Sequence, residues 1–203
     1  MAEPEFETHE LGLTWLPDPG EVMQRACHAV LLGGRVWVID PIEAEGADER
    51  IAAVGEAVGV IQLLDRHNRD CAAFAERLGV PHHRLPWSGV EGAPFEPVPL
   101  VRNKLWNELA LWAPDERALI VPEAVGTGTY FRAGGERVGV HPMLRMLPPR
   151  KLAAYEPLHL LTGHGPGMHG PETAAALHDG LDGSRRRIPQ AFVSIVKSGR
   201  LPS

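Results

Sequence analysis

Two glycines constrain the fold of this chain more than any other feature. Gly33 and Gly34 stand between the β-rich runs of "AVLLGGRVWVID" (Ala29 to Asp40). Paired glycines let both central residues of a turn take positive φ, so this stretch predicts a tight antiparallel hairpin. The next segment, "ADERIAAVGEAVG", has Ile51, Val54 and Val58 at helical spacing. Asp48 is available as a cap and Gly59 as a stop, which predicts a helix. "VIQLL" then reads as a short buried strand. A second short helix follows, with Phe74 and Leu78 on one face and Gly79 as its end.

Further along, "ELALWAPDERALIVPEAVG" predicts a second hairpin turning at Pro114-Asp115. "LHLLTGHGPGMHG" predicts a strand entering a glycine-rich loop. "PETAAALHDGL" predicts a helix burying Ala174, Leu177 and Leu181. The stretch from Pro81 to Pro99 reads as irregular because proline cannot donate to a ladder. Residues 130 to 150 show no period that places them. Helices alternating with long β runs imply sheets covered by helices, in a single domain over residues 1–203.

Composition narrows the function. The formal charge of −6 offers no electrostatic basis for binding nucleic acid or an anionic membrane. No apolar run approaches the roughly 18 residues that span a bilayer. The acidic start "MAEPEFETHELG" lacks the apolar core of a secretory signal, and Cys27 and Cys71 have no CxxC spacing. A reducing cytoplasm is the expected location. "GTGTYFRAGG" lacks the Lys-Ser/Thr of a phosphate loop, and no Gly-x-Ser-x-Gly element is present. His82, His83 and His169 read as surface residues. Trp37 and Trp112 read as core, and Trp87 and Trp106 as the border of a cleft.

One loop concentrates the remaining chemistry. "LLDRHNRDCAAF" places Asp65, Arg66, His67, Arg69 and Asp70 between a buried strand and a helix. Together with "ALIVPEAV" and "LLTGHGPG", this loop resembles the metal-binding pattern of the metallo-β-lactamase-fold hydrolases. The resemblance runs from about Cys27 to Leu181. "DRHNRD" falls on the HxHxDH motif, Glu123 on the bridging aspartate, and His164 on the last histidine. The hairpin ending in "VWVIDP" falls on an early hairpin of that family.

The resemblance implies an αββα sandwich of two mixed sheets with helices on the outer faces. It also implies a ligand set of Asp65, His67, Asp70, Glu123 and His164 meeting in one cleft at one end of the sheets. The motif is degenerate, however. Asp65 replaces the first histidine, Arg69 the aspartate and Asp70 the last histidine, and "VRNKLWNE" stands where a further histidine ligand belongs. Such a set suits one Zn, Mn or Fe ion, or none, rather than two.

On the enzymatic reading, water activated at His67, Asp70 and His164 attacks an ester, thioester, lactone or phosphoester. Glu123 completes the coordination, and Arg69 stabilises developing charge. The alternative is a non-catalytic member that keeps the fold to bind a small molecule or a partner. The residues themselves leave plainer roles open. Asp70 can cap the following helix, Asp65 can close its own turn, and Glu123 can be a strand-end charge. Arg69 can replace a metal ion by pairing with Asp65, Asp70 or Glu123, since a guanidinium keeps its proton.

Overall fold

The Gly33-Gly34 turn joins β3 (Cys27–Leu32) to β4 (Arg35–Ile39) as an antiparallel hairpin, with both glycines at positive φ. A computed structural model describes residues 3–67 and 69–197, with side chains through residue 192. Before the hairpin come β1 (Glu5–His9) and β2 (Gly12–Leu16). After it come β5 (Ala57–Gln62) and β6 (His82–Arg84). These six strands form one sheet in chain order, antiparallel through β4 and parallel from β4 to β6.

The second sheet is built from β7 (Glu96–Arg102), β8 (Asn107–Ala113), β9 (Ala118–Val121), β12 (His159–Thr162) and β13 (Met168–His169). Its order is β13-β12-β9-β8-β7, and β9 runs parallel to β12. A small ribbon pairs β10 (Val125–Gly126) with β11 (Gly139–Val140). The helices are α1 (Ala47–Val54), α2 (Cys71–Leu78), α3 (Thr173–Gly183) and α4 (Ile188–Lys197). No helix among the described residues is long and apolar enough to cross a membrane.

Strand alternation explains the layering. In β4, Trp37 and Ile39 face the second sheet, where they meet Leu109, Leu111, Ile120 and Leu161. Val36 and Val38 face the other way, toward Ile51 of α1 and Phe74 of α2. In β9 the division is the same. Ala118 and Ile120 fill the space between the sheets, whereas Leu119 and Val121 pack with Leu177 and Leu181 of α3. Every strand that is apolar on both faces therefore lies between a sheet and a helix, which makes the αββα sandwich.

The structure moves several boundaries. The first helix stops at Gly55 rather than Gly59, so Val58 belongs to β5. Gly46 occupies its N-cap, and Asp48 instead pairs with Arg77 at 2.7 Å. The stretch 81–99 contains β6 and the start of β7, whose Pro97 and Pro99 are tolerated because β7 is an edge strand. Residues 130–150 contribute β11 and a 3-10 turn at Pro142–Leu144. They are pinned by buried Arg145, which pairs with Glu136 at 2.7 Å and donates to the Phe131 carbonyl. Trp37 is buried as expected, while Trp112 is only half-buried against Tyr155. Cys27 and Cys71 are buried free thiols.

A chain of polar groups also crosses between the sheets. Buried His28 bonds through Nε2 to the Thr162 carbonyl oxygen, so its Nδ1 accepts from the Thr14 hydroxyl. Thr14 in turn accepts from Nε2 of His9. The His9 ring lies 4.5 Å from that of His169, whose Nδ1 is 2.9 Å from Nδ1 of His159. His159 reaches Glu10 through Nε2. His169 is thus half-buried inside a network, not a free surface residue.

Candidate metal centre

The loops leaving the C-terminal ends of β4, β5, β9 and β12 meet at one end of the sandwich. Asp40 ends β4 with a φ of 44°, a conformation that a short polar side chain tolerates better than a branched one. Its Oδ1 accepts from the Leu63 amide at 3.0 Å, and its Oδ2 lies 3.3 Å from Nδ1 of His67. Asp40 thereby accepts from the Nδ1–H of His67 and leaves Nε2 facing Glu123, whose Oε2 is 3.3 Å away.

Glu123 follows β9 and is buried. Burial opposes its charge, but the imidazoles of His67, His164 and His141 gathered around it outweigh that cost. Its carboxyl is held well below the ordinary range. Its backbone is fixed from behind by Glu108, a fully buried carboxylate. Glu108 accepts from the amides of Glu123 and Ala124 and from the Trp106 indole. Burial, opposed by these bonds, pushes Glu108 up to about 7.

His164 follows β12 between two glycines that its loop needs. A Cβ on Gly163 would lie 2.1 Å from the Pro122 carbonyl oxygen, and one on Gly165 would lie 2.1 Å from the Gly128 nitrogen. Its Nδ1 donates to the Met23 carbonyl at 3.1 Å. That bond puts the lone pair on Nε2, which is buried and has no hydrogen-bond partner among the described residues. Burial first, then the neighbouring His67 and Arg69, hold this imidazole well below 6.5 and therefore neutral.

His141 completes the setting. It accepts the Met143 amide on Nδ1 at 3.2 Å, so its Nε2–H points at Glu123 Oε1, 3.4 Å away. With burial lowering it to about 4, it is a neutral donor.

One ligand atom from each of His67, Glu123 and His164 lies within 4.8 Å of the others. Among the described residues this is the one group of three or more ligating side chains close enough to share an ion. Of the five residues expected to converge, three do so. Asp65 instead accepts the Asn107 amide and side chain on Oδ2, both at 3.0 Å, and ties the loop to β8. Asp70 accepts the Glu43 amide at 2.8 Å and makes no capping bond to α2.

Arg69 forms no ion pair with a described residue, contrary to the expected pairing with carboxylates. Its guanidinium donates to the carbonyls of Ala26, Asp40 and Gly163 at 2.7, 2.8 and 3.1 Å. Asp70 and Arg69 are thus not among the side chains that the structure brings together with His67, Glu123 and His164. Sequence reasoning missed Asp40, Glu108 and His141. Asp40 carried a signal as the polar end of an apolar run. His141 lies in the stretch that had no recognisable period.

No family model matches the chain, and no curated protein does. Solved structures do. DIM-1 metallo-β-lactamase, exposed to ceftazidime, aligns with a TM-score of 0.57 at 12% identity over 94% of this chain and 98% of its own. TTHA1623, in a di-iron-bound form, aligns at 0.55 and 16% identity over 77% and 96%. A metallo-β-lactamase from Erythrobacter litoralis aligns at 0.53 and 10% identity over 94% and 93%. At such identities the likeness is one of architecture, and it agrees with the layers and strand order described above. The chain has the metallo-β-lactamase fold.

Proposed function

We propose that this chain is a hydrolase whose site holds one transition-metal ion through His67 Nε2, Glu123 and His164 Nε2. The observation that carries this reading is the bare, buried lone pair of His164. A buried imidazole nitrogen without a partner is costly unless something fills it. Two imidazoles and a carboxylate form a donor set that suits Zn, Mn or Fe. The ion would supply a Lewis acid able to activate water near neutral pH.

The residues around it prepare the site. Asp40 orients His67 through Nδ1, and the Met23 carbonyl orients His164 through Nδ1. His141 engages one oxygen of Glu123 and leaves the other free to ligate. Substrates of the ester, thioester, lactone or phosphoester type suit such a centre. A second ion has little support, because Asp65, Arg69 and Asp70 are occupied elsewhere.

Calorimetric titration of chelator-treated protein with zinc, manganese or ferrous iron tests the proposal. We expect a stoichiometry near one and loss of binding in His164→Ala. Absence of binding by all three metals would overturn the metal reading. Two tight sites would overturn the single-ion reading.

One observation favours the alternative, a metal-free ligand-binding protein. His67 lies between two carboxylates, 3.3 Å from Asp40 and 3.3 Å from Glu123. A protonated ring could satisfy both without an ion.

A further inference from the structure

The loop carries two arginines, and they are used in opposite ways. Arg69 spends its guanidinium on three backbone carbonyls. Arg66 lies with its guanidinium carbon 4.5 Å from the centre of the Trp106 ring. Its Nη2 is 3.9 Å from Glu123 Oε1, beyond hydrogen-bond reach, and its side chain is 46% exposed. It donates no hydrogen bond to any described residue.

Its place over the Trp106 ring holds this arginine without consuming its donors. The five N–H groups of a guanidinium lie in its plane, so contact through the face fixes the group and leaves the edge open. Trp106 is itself fixed, because its indole N–H donates to buried Glu108 at 2.8 Å. Glu123, the adjacent counter-charge, already faces the Nε2–H of His141 at 3.4 Å. An ion bound there would draw that negative charge further from Arg66. The result is a positioned fork with unused hydrogen-bond donors at the rim of the centre, matched to two oxygens of a carboxylate or phosphate.

We infer that Arg66 is an anchor for a carboxylate or phosphate group on the ligand of this site. Resting on the hydrolase reading above, this restricts the substrate to an anionic one, with its charged group beside the bond to be cleaved.

The test uses metal-free protein, with acetate and inorganic phosphate as separate probes and chloride at matched ionic strength as the control. Binding is followed by the Trp106 indole N–H resonance, assigned by comparison with Trp106→Phe. The expected result is a saturable shift with at least one oxyanion and none with chloride. Which anion binds tells carboxylate from phosphate. Arg66→Gln should weaken that binding about tenfold or more, and Arg66→Lys should weaken it less. No shift with either anion, or equal binding by Arg66→Gln, would overturn the inference.

Zinc titration of Arg66→Gln separates the two proposals. Unchanged zinc stoichiometry with lost anion binding supports the anchor role. Failure of the wild type to bind any metal would remove the hydrolase reading and leave the anion site to stand on its own result.

Discussion

At the scale of single residues, Arg69 shows how one side chain in a loop can hold together segments distant in the chain. Its φ is 41°, and its side chain turns back into the protein. There it joins Ala26 before β3, Asp40 after β4 and Gly163 after β12, so one guanidinium ties both sheets together at the centre. Charge-assisted bonds of this kind contribute about 1.5–3 kcal/mol apiece and are not additive. Arg69→Ala should therefore lower unfolding stability by about 2–4 kcal/mol in urea titrations. Arg69→Lys should recover only part of that, because one ammonium nitrogen cannot occupy the places of both Nη1 and Nη2. A neutral Arg69→Ala variant would remove the structural role. The place of this loop after a buried strand was legible in the sequence, and the partners of its side chains were not, for a physical reason. Loop position follows from local pattern. Whether Asp65, Arg69 or Asp70 faces a metal site or a backbone group depends on strands distant in the chain. Asn107, Glu43 and Gly163, their partners, had no visible link to the loop.

Between elements, the histidine chain joining β1, β2 and β3 to β12 and β13 has a predictable response to acid. Burial, its largest cause in each case, lowers His9 to about 4 and His28 to about 3, and it lowers His159 and His169 as well. A histidine held below its unfolded value of about 6.5 binds fewer protons when folded. The stability it contributes is present above pH 6.5 and is lost as pH falls toward 4. The urea midpoint should accordingly drop between pH 7 and pH 5, and the drop should shrink in His28→Gln. Identical midpoints at the two pH values would show that the chain does not couple to folding. Elements with strong local signals were legible. The Gly33-Gly34 hairpin, the Pro114-Asp115 hairpin and the Gly79 helix stop all appear where expected. The helix end at Gly55 was missed because Val58 continues the helical spacing by coincidence while belonging to a strand. The polar chain itself was not legible, since threonine and histidine inside strands look like ordinary alternation.

For the whole molecule, long β runs alternating with helices pointed to sheets covered by helices, and the four layers came from the family resemblance. Which loops then share an end follows from β4 and β5 being parallel, as β9 and β12 are. The same sheet orders leave four outer strands, and each is poorly suited to pairing with another chain. β6 has 3 residues and β13 has 2, while β1 exposes Glu5 and Glu7. β7 is the long one, with 7 residues, and it carries Pro97 and Pro99. Prolines survive on an edge strand where their missing N–H would have pointed away from the neighbour. An incoming strand would find two donors absent along that border, so these prolines act as guards against fibre-like association. Replacing both, as Pro97→Val with Pro99→Val, should leave the β7–β8 ladder intact and raise the average mass seen by sedimentation in concentrated solution. An unchanged mass would mean that strand twist or charge, rather than proline, keeps copies of this protein apart.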